Sequence, residues 1–135
     1  MKVAVDTNVV VSAVIADGPP RRVLEAIADG AAELVLPEPV PAELRRVLTE
    51  KLALDDASIE TIIELLEELA PEPARVPDQV EAVCGDPDDD RILAAAVAAG
   101  AEILISGDNK HLLPLGQHRA TLIIRPQEFL AEITG

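Results

Sequence analysis

DPDDDRILAAAVAAGAEILISGD, residues 86–108, decides the fold. Four aspartates crowd its opening, an alanine-rich run follows, Gly100 interrupts, and EILIS (102–106) is short and aliphatic. Carboxylates suit the positive end of a helix, and glycine suits the residue just past its last turn. A brief apolar run bounded by turn signals reads as a buried strand. The block therefore predicts a helix from Asp86–Asp90 to Gly100 that feeds a strand over 102–106.

Working outward, the same alternation recurs. KVAVD (2–6) reads as a first strand. Continuing it to residue 15 would make it unusually long, so a helix is expected to begin near Thr7 or Asn8. DGPP (17–20) breaks the chain before the helix RRVLEAIAD, which Gly30 closes, and ELVLP (33–37) is a second strand. Helices are expected at about 39–53 and 56–70, a third strand within PEPARVP (71–77), a fifth in TLIIRP (121–126), and a last helix in PQEFLAEIT. Short aliphatic strands alternating with helices predict a three-layer α/β/α sandwich around a central, mainly parallel, roughly five-stranded sheet. Residues 1–135 are read as a single domain.

Composition narrows the function. Phe129 is the only aromatic residue, which argues against recognition of single strands by stacking on aromatic platforms. One cysteine, Cys84, leaves no internal disulfide and suits a reducing compartment. Asp6 and Asn8 interrupt the first apolar stretch, so it does not read as a signal peptide, and no apolar run approaches membrane-spanning length. The expectation is a soluble cytoplasmic protein with no membrane partner. The net charge of −14 is uneven: residues 55–90 carry 13 acids and one base, whereas residues 1–54 carry 8 acids and 6 bases. The remainder can still face an anion, with Arg21/Arg22 and Arg45/Arg46 available, especially beside a bound cation.

Four carboxylates stand where the local pattern does not call for one. Asp6 ends the first strand, where an unpaired buried charge is costly. Glu43 borders the apolar stripe of its helix, with Val40 before it and Val47 after. Asp90 is followed at i+3, i+4 and i+7 by Leu93, Ala94 and Val97. Asp108 follows the fourth strand. Individually, a helix cap explains Asp90 and its neighbours Asp86, Asp88 and Asp89, turn chemistry explains Asp108, and a solvated helix face explains Glu43. Jointly they gather at one edge, because ligands of parallel sheets bind beyond the carboxyl ends of the strands. Crowded carboxylates call for a cation, and hard oxygen donors suit Mg²⁺ or Mn²⁺. Zinc spacing, phosphate loops and nucleophile elbows are absent from the sequence.

On VDTNV (5–9), PAELRRVL (41–48), the 86–108 block and LIIRPQEFL (122–130), the chain resembles PIN-domain nucleases of the VapC-like kind, the ribonuclease toxins of type II toxin–antitoxin modules. The resemblance implies that Asp6, Glu43, Asp90 and Asp108 form an acidic pocket for one or two Mg²⁺ or Mn²⁺ ions, with Asn8 and Ser106 as polar support. It further implies hydrolysis of single-stranded RNA to 5′-phosphate and 3′-hydroxyl ends. A cognate antitoxin is the expected partner, its tail entering the acidic pocket with an arginine. Val9–Ile15 and Val23–Ile27 are a possible homodimer face. Where many relatives carry a further aspartate, this chain has His111. The main rival is a PIN scaffold that binds RNA or a partner protein without cutting. A phosphotransfer receiver would need an aspartate ending the third strand and a lysine after the last, and a Toprim-like site would need its aspartate pair at a strand end; this chain has neither.

Overall fold

The computed structural model describes residues 1–134. In chain order the elements are β1 (Lys2–Val5), α1 (Thr7–Ile15), α2 (Pro19–Ala28), β2 (Glu33–Pro37), α3 (Pro39–Glu50), α4 (Asp56–Leu69), β3 (Pro73–Ala74), α5 (Pro87–Ala98), β4 (Ile103–Ile105), α6 (Leu112–Leu115), β5 (Gln117–His118), β6 (Thr121–Ile124) and α7 (Pro126–Thr134). Helices flank one sheet ordered β3-β2-β1-β4-β6-β5. Every pairing is parallel except β5 with β6.

The expected alternation is present, with two additions and one contraction. The sheet has six strands rather than about five, because Arg119, at φ 53°, turns the chain so that Gln117–His118 pairs back on Leu122 and Thr121. The short helix α6 lies in a stretch where no element was expected. The third strand contracts to two residues, paired with Leu36 and Pro37. The first helix does begin at Thr7, but Asp6 caps it, accepting from the Val9 N–H at 3.0 Å. α5 starts behind an Asp86 cap and is closed by Ala99 as its C-cap, with Gly100 at φ 77° in the left-handed region that glycine occupies freely.

The central strands are buried on both faces, so they read as continuous aliphatic runs. Val3, Ala4 and Val5 of β1 and Leu104 and Ile105 of β4 are fully buried. Val10, Val23, Leu44, Ile63, Leu93, Leu112 and Phe129 bring the helices onto the same buried cluster. Among the expected homodimer residues, Val9, Val10, Val23 and Ile27 lie in this core, whereas Ile15 is exposed. No helix of the described residues is long and apolar enough to cross a membrane.

β1 is the point where the order of connection reverses, with β2 on one side and β4 on the other. In open parallel sheets the crevice at such a point, beyond the carboxyl ends of the strands, is where ligands bind. Val5 and Ile105 end in register there. The next residues, Asp6 and Ser106, are placed side by side by that register.

Candidate metal centre

Asp6 leaves the sheet at that crevice. Its N–H donates to the Ile105 carbonyl at 3.1 Å, continuing the β1–β4 ladder by one bond. The side chain is buried, with Oδ1 accepting from Val9 and Oδ2 from the Ser106 hydroxyl. Ser106 is fully buried, and its oxygen also accepts from the Asp108 N–H at 3.0 Å. Burial pushes the Asp6 carboxyl up to about 6, against the Ser106 hydroxyl and the Val9 N–H; the negative charges of Asp108 and Glu43 add to the rise.

Glu43 reaches the same place from α3. Its Oε2 accepts from the Thr7 hydroxyl at 2.5 Å, which ties α3 to the first turn of α1. Asp6, Thr7, Asn8, Glu43 and Asp89 line one pocket of about 150 Å³, with Arg46 and Lys51 also on its wall. Asn8 is exposed there, in position to meet a ligand rather than to brace the interior.

Asp89, not Asp90, carries α5 into this pocket. Burial comes first, then hydrogen bonds and repulsion from Asp108 and Asp86, and together they push the Asp89 carboxyl up to about 8. Asp89 therefore holds a proton near neutrality, shared with Asp108. The Asp108 carboxyl is held down in spite of its burial by the Lys110, Leu112 and His111 N–H groups and by Asp89. Those same contacts make Asp108 the anchor of the turn into α6.

Asp90 is buried but engaged elsewhere. Its Oδ1 accepts from the N–H groups of Val83 (3.1 Å) and Cys84 (3.0 Å) and from the Cys84 thiol (3.0 Å). Burial raises this carboxyl, but the three donors outweigh it and hold it below the usual range. The thiol in turn is pushed up to about 12 by burial and by its bond to Asp90, which keeps it a hydrogen-bond donor to that carboxylate. The structure thus brings together Asp6, Glu43 and Asp108, with Ser106 and Asn8, and turns Asp90 away to pin the preceding loop.

The physical reason is helix phase. Asp89 is followed at i+3, i+4 and i+7 by Ile92, Leu93 and Ala96, all buried, whereas Asp90 precedes two half-buried residues, Ala94 and Val97, at i+4 and i+7. The same spacing test, applied to Asp89, was the signal in the sequence. Thr7 and Lys51 had no comparable signal, because their roles depend on α1 and α3 meeting across the crevice. Of the arginine pairs, Arg21 is spent on the Ala13 and Val14 carbonyls and Arg45 on Glu60, and Arg46, 3.6 Å from Glu50, is the one of the four that lines the pocket.

A family model described as a PIN domain matches residues 2–110, most of the chain. The chain belongs to the PIN-domain family. No curated protein matches it. PIN domains are in general metal-dependent nucleases, which typically use divalent ions. The donor set of this PIN domain suits such an ion on chemical grounds. Asp6, Glu43 and Asp89 share one pocket and Asp108 adjoins it through Ser106; two of these carboxylates are pushed toward neutrality by burial and mutual repulsion, and none has an ion-pair partner among the described residues. A hard divalent cation relieves that repulsion and binds oxygen.

Proposed function

We propose that this PIN domain is a divalent-metal-dependent endoribonuclease that hydrolyses single-stranded RNA. The observation that carries the reading is the buried strand-end carboxylate of Asp6, which shares one pocket with Glu43 and Asp89 and has no ion-pair partner among the described residues. Asp6, Asp89, Asp108 and Glu43 are the residues that would hold one or two Mg²⁺ or Mn²⁺ ions. Such an ion, when bound, supplies Lewis-acid stabilisation of the phosphoryl oxygens and lowers the pKa of water. In its ionised form Asp89 accepts the proton of the attacking water, its raised proton affinity making it an effective base. The P–O bond to water forms as the P–O3′ bond breaks, and the proton passes to the leaving 3′ oxygen. Ser106 keeps the Asp6 carboxylate in one orientation, and Thr7 does the same for Glu43. Arg46 and Lys51 at the pocket wall position the RNA through its phosphates.

The toxin role and a cognate antitoxin belong to the same reading, in a cytoplasmic setting. An apolar groove of about 440 Å³, lined by Val10, Ala13, Val14, Leu24, Ile62 and Leu65 between α1, α2 and α4, supports a protein partner, whether an antitoxin or a second copy of the chain.

The deciding experiment is cleavage of labelled single-stranded RNA with Mg²⁺, with Mn²⁺ and with EDTA, beside Asp6→Asn. Cutting that needs metal and is lost in the variant is the expected result. No cutting of any of several RNAs, together with no metal binding by calorimetry, would instead favour the non-catalytic scaffold; metal binding without cutting would point to a narrow substrate or a missing partner.

A further inference from the structure

Asp89 also belongs to a second group with a different chemistry. A ring nitrogen of His111 and one carboxylate oxygen each from Asp86 and Asp89 lie within 4.8 Å of one another. Ligands bonded at about 2–2.3 Å to one ion stand up to about 4.5 Å apart, so a small closure brings these three onto a single cation. The aspartates are delivered by the cap and first turn of α5, and the histidine by the turn into α6.

The orientation of the imidazole is fixed from outside this group. His111 Nδ1 lies 3.1 Å from the Cys84 carbonyl, which can only accept, so Nδ1 carries the hydrogen and Nε2 the lone pair of the neutral ring. The Cys84 peptide is itself held, because its N–H and that of Val83 donate to Asp90. Gly85, at φ 90°, then turns the chain sharply so that Asp86 comes back beside the ring. A backbone carbonyl holding the second nitrogen of a histidine is the support that metal-binding imidazoles ordinarily have.

We propose that His111 is a nitrogen ligand which, with Asp86 and Asp89, gives this centre a mixed nitrogen–oxygen site that prefers Mn²⁺ to Mg²⁺. The inference rests on the reading of the pocket as a metal centre. Imidazole suits first-row transition ions, whereas Mg²⁺ demands oxygen donors. Asp90 and Cys84 act here as positioning residues, through the peptide that orients the ring.

The test is pulsed electron paramagnetic resonance of the protein loaded with substoichiometric Mn²⁺, which detects a directly bonded ¹⁴N nucleus. Wild type and His118→Gln are expected to show the nitrogen coupling, and His111→Asp to lose it. Calorimetry should show the ratio of Mn²⁺ to Mg²⁺ affinity falling about tenfold or more in His111→Asp. Absence of coupling in wild type, or its loss in His118→Gln, overturns the assignment. Should His111→Asp not fold, the wild-type and His118→Gln spectra still decide. RNA cleavage measured on the same preparations separates the two ideas. Cutting without nitrogen coupling retains the nuclease and rejects the ligand; coupling without cutting retains the ligand.

Discussion

Ser106 donates its hydroxyl hydrogen to Asp6 across 100 residues of chain, at the ends of two adjacent parallel strands. The same oxygen accepts from the Asp108 N–H, so one hydroxyl spaces two carboxylates that repel each other. Ser106→Ala removes both bonds from a fully buried position. Losing a hydrogen bond to a charged group costs about 1.5–3 kcal/mol, and loss of such outer support weakens metal binding by roughly 10–100-fold. Urea unfolding at pH 7 and Mn²⁺ calorimetry should show both losses. Unchanged metal affinity would mean that Asp6 needs no orienting partner.

Asp6 also predicts how stability without metal depends on pH. Its carboxyl is pushed from 3.8 to about 6 in the folded chain. Below 3.8 both states are protonated and nothing is lost. Between 3.8 and 6 the folded state binds more protons than the unfolded state, so stability falls as pH rises, by about 3 kcal/mol in total for this group. Asp6→Asn keeps an N-cap side chain and should unfold at higher urea than wild type at pH 7.5, with the gap closing toward pH 4. A constant gap would assign the effect to packing instead.

Adjacent aspartates on α5 should separate cleanly. Asp90→Ala strands the Val83 and Cys84 N–H groups and should lower stability by about 2–4 kcal/mol, judged by the penalty for unsatisfied donors. Asp89→Asn keeps a neutral hydrogen-bonding side chain beside Asp108 and Asp86, so it should leave the fold intact at pH 7 while abolishing metal binding. Thermal melts and calorimetry on the two variants check this. The opposite pattern would return Asp90 to the pocket.

Metal binding should also release protons. Asp89 and Asp6, at about 8 and about 6, carry hydrogen at pH 6.5 that a cation must displace. Titrations in two buffers of different ionisation enthalpy should reveal release of about one proton or more at pH 6.5 and almost none at pH 9. Heats independent of buffer at pH 6.5 would show that the carboxylates are already ionised.

The elements that position the site were legible because each carries its own local signal. The aliphatic runs at 2–6, 33–37 and 102–106 are buried beyond their first residue, that at 121–126 exposes only Leu122 and Arg125, and Gly100 and the Asp86 cap bound α5 as their chemistry requires. Asp6, Glu43 and Asp108 were legible for a related reason: a carboxylate at a strand end or along an apolar stripe is out of place unless something uses it. Asp89 was missed because four aspartates in five residues all satisfy helix-cap chemistry, and Asp90 too is followed by apolar residues at i+3, i+4 and i+7, though those after Asp89 are the more deeply buried. β5 and α6 were missed because each depends on a turn, at Arg119 and at Asp108, whose side chain gives no periodic pattern. Thr7 was hidden altogether, since its partner is 36 residues away.

The two outermost strands of the sheet are each only two residues long, and one of them contains Pro73, which has no N–H to donate. The interior strands, built almost wholly of valine, isoleucine, leucine and alanine, are the kind of segment that templates cross-β growth when an edge is left open. Here both ends of the ladder stop before a further chain could be seated, and a net charge of −14 keeps like molecules apart. The consequence is colloidal: a chain rich in strand-forming aliphatics can accumulate in its folded form without its own sheet acting as a seed for aggregation.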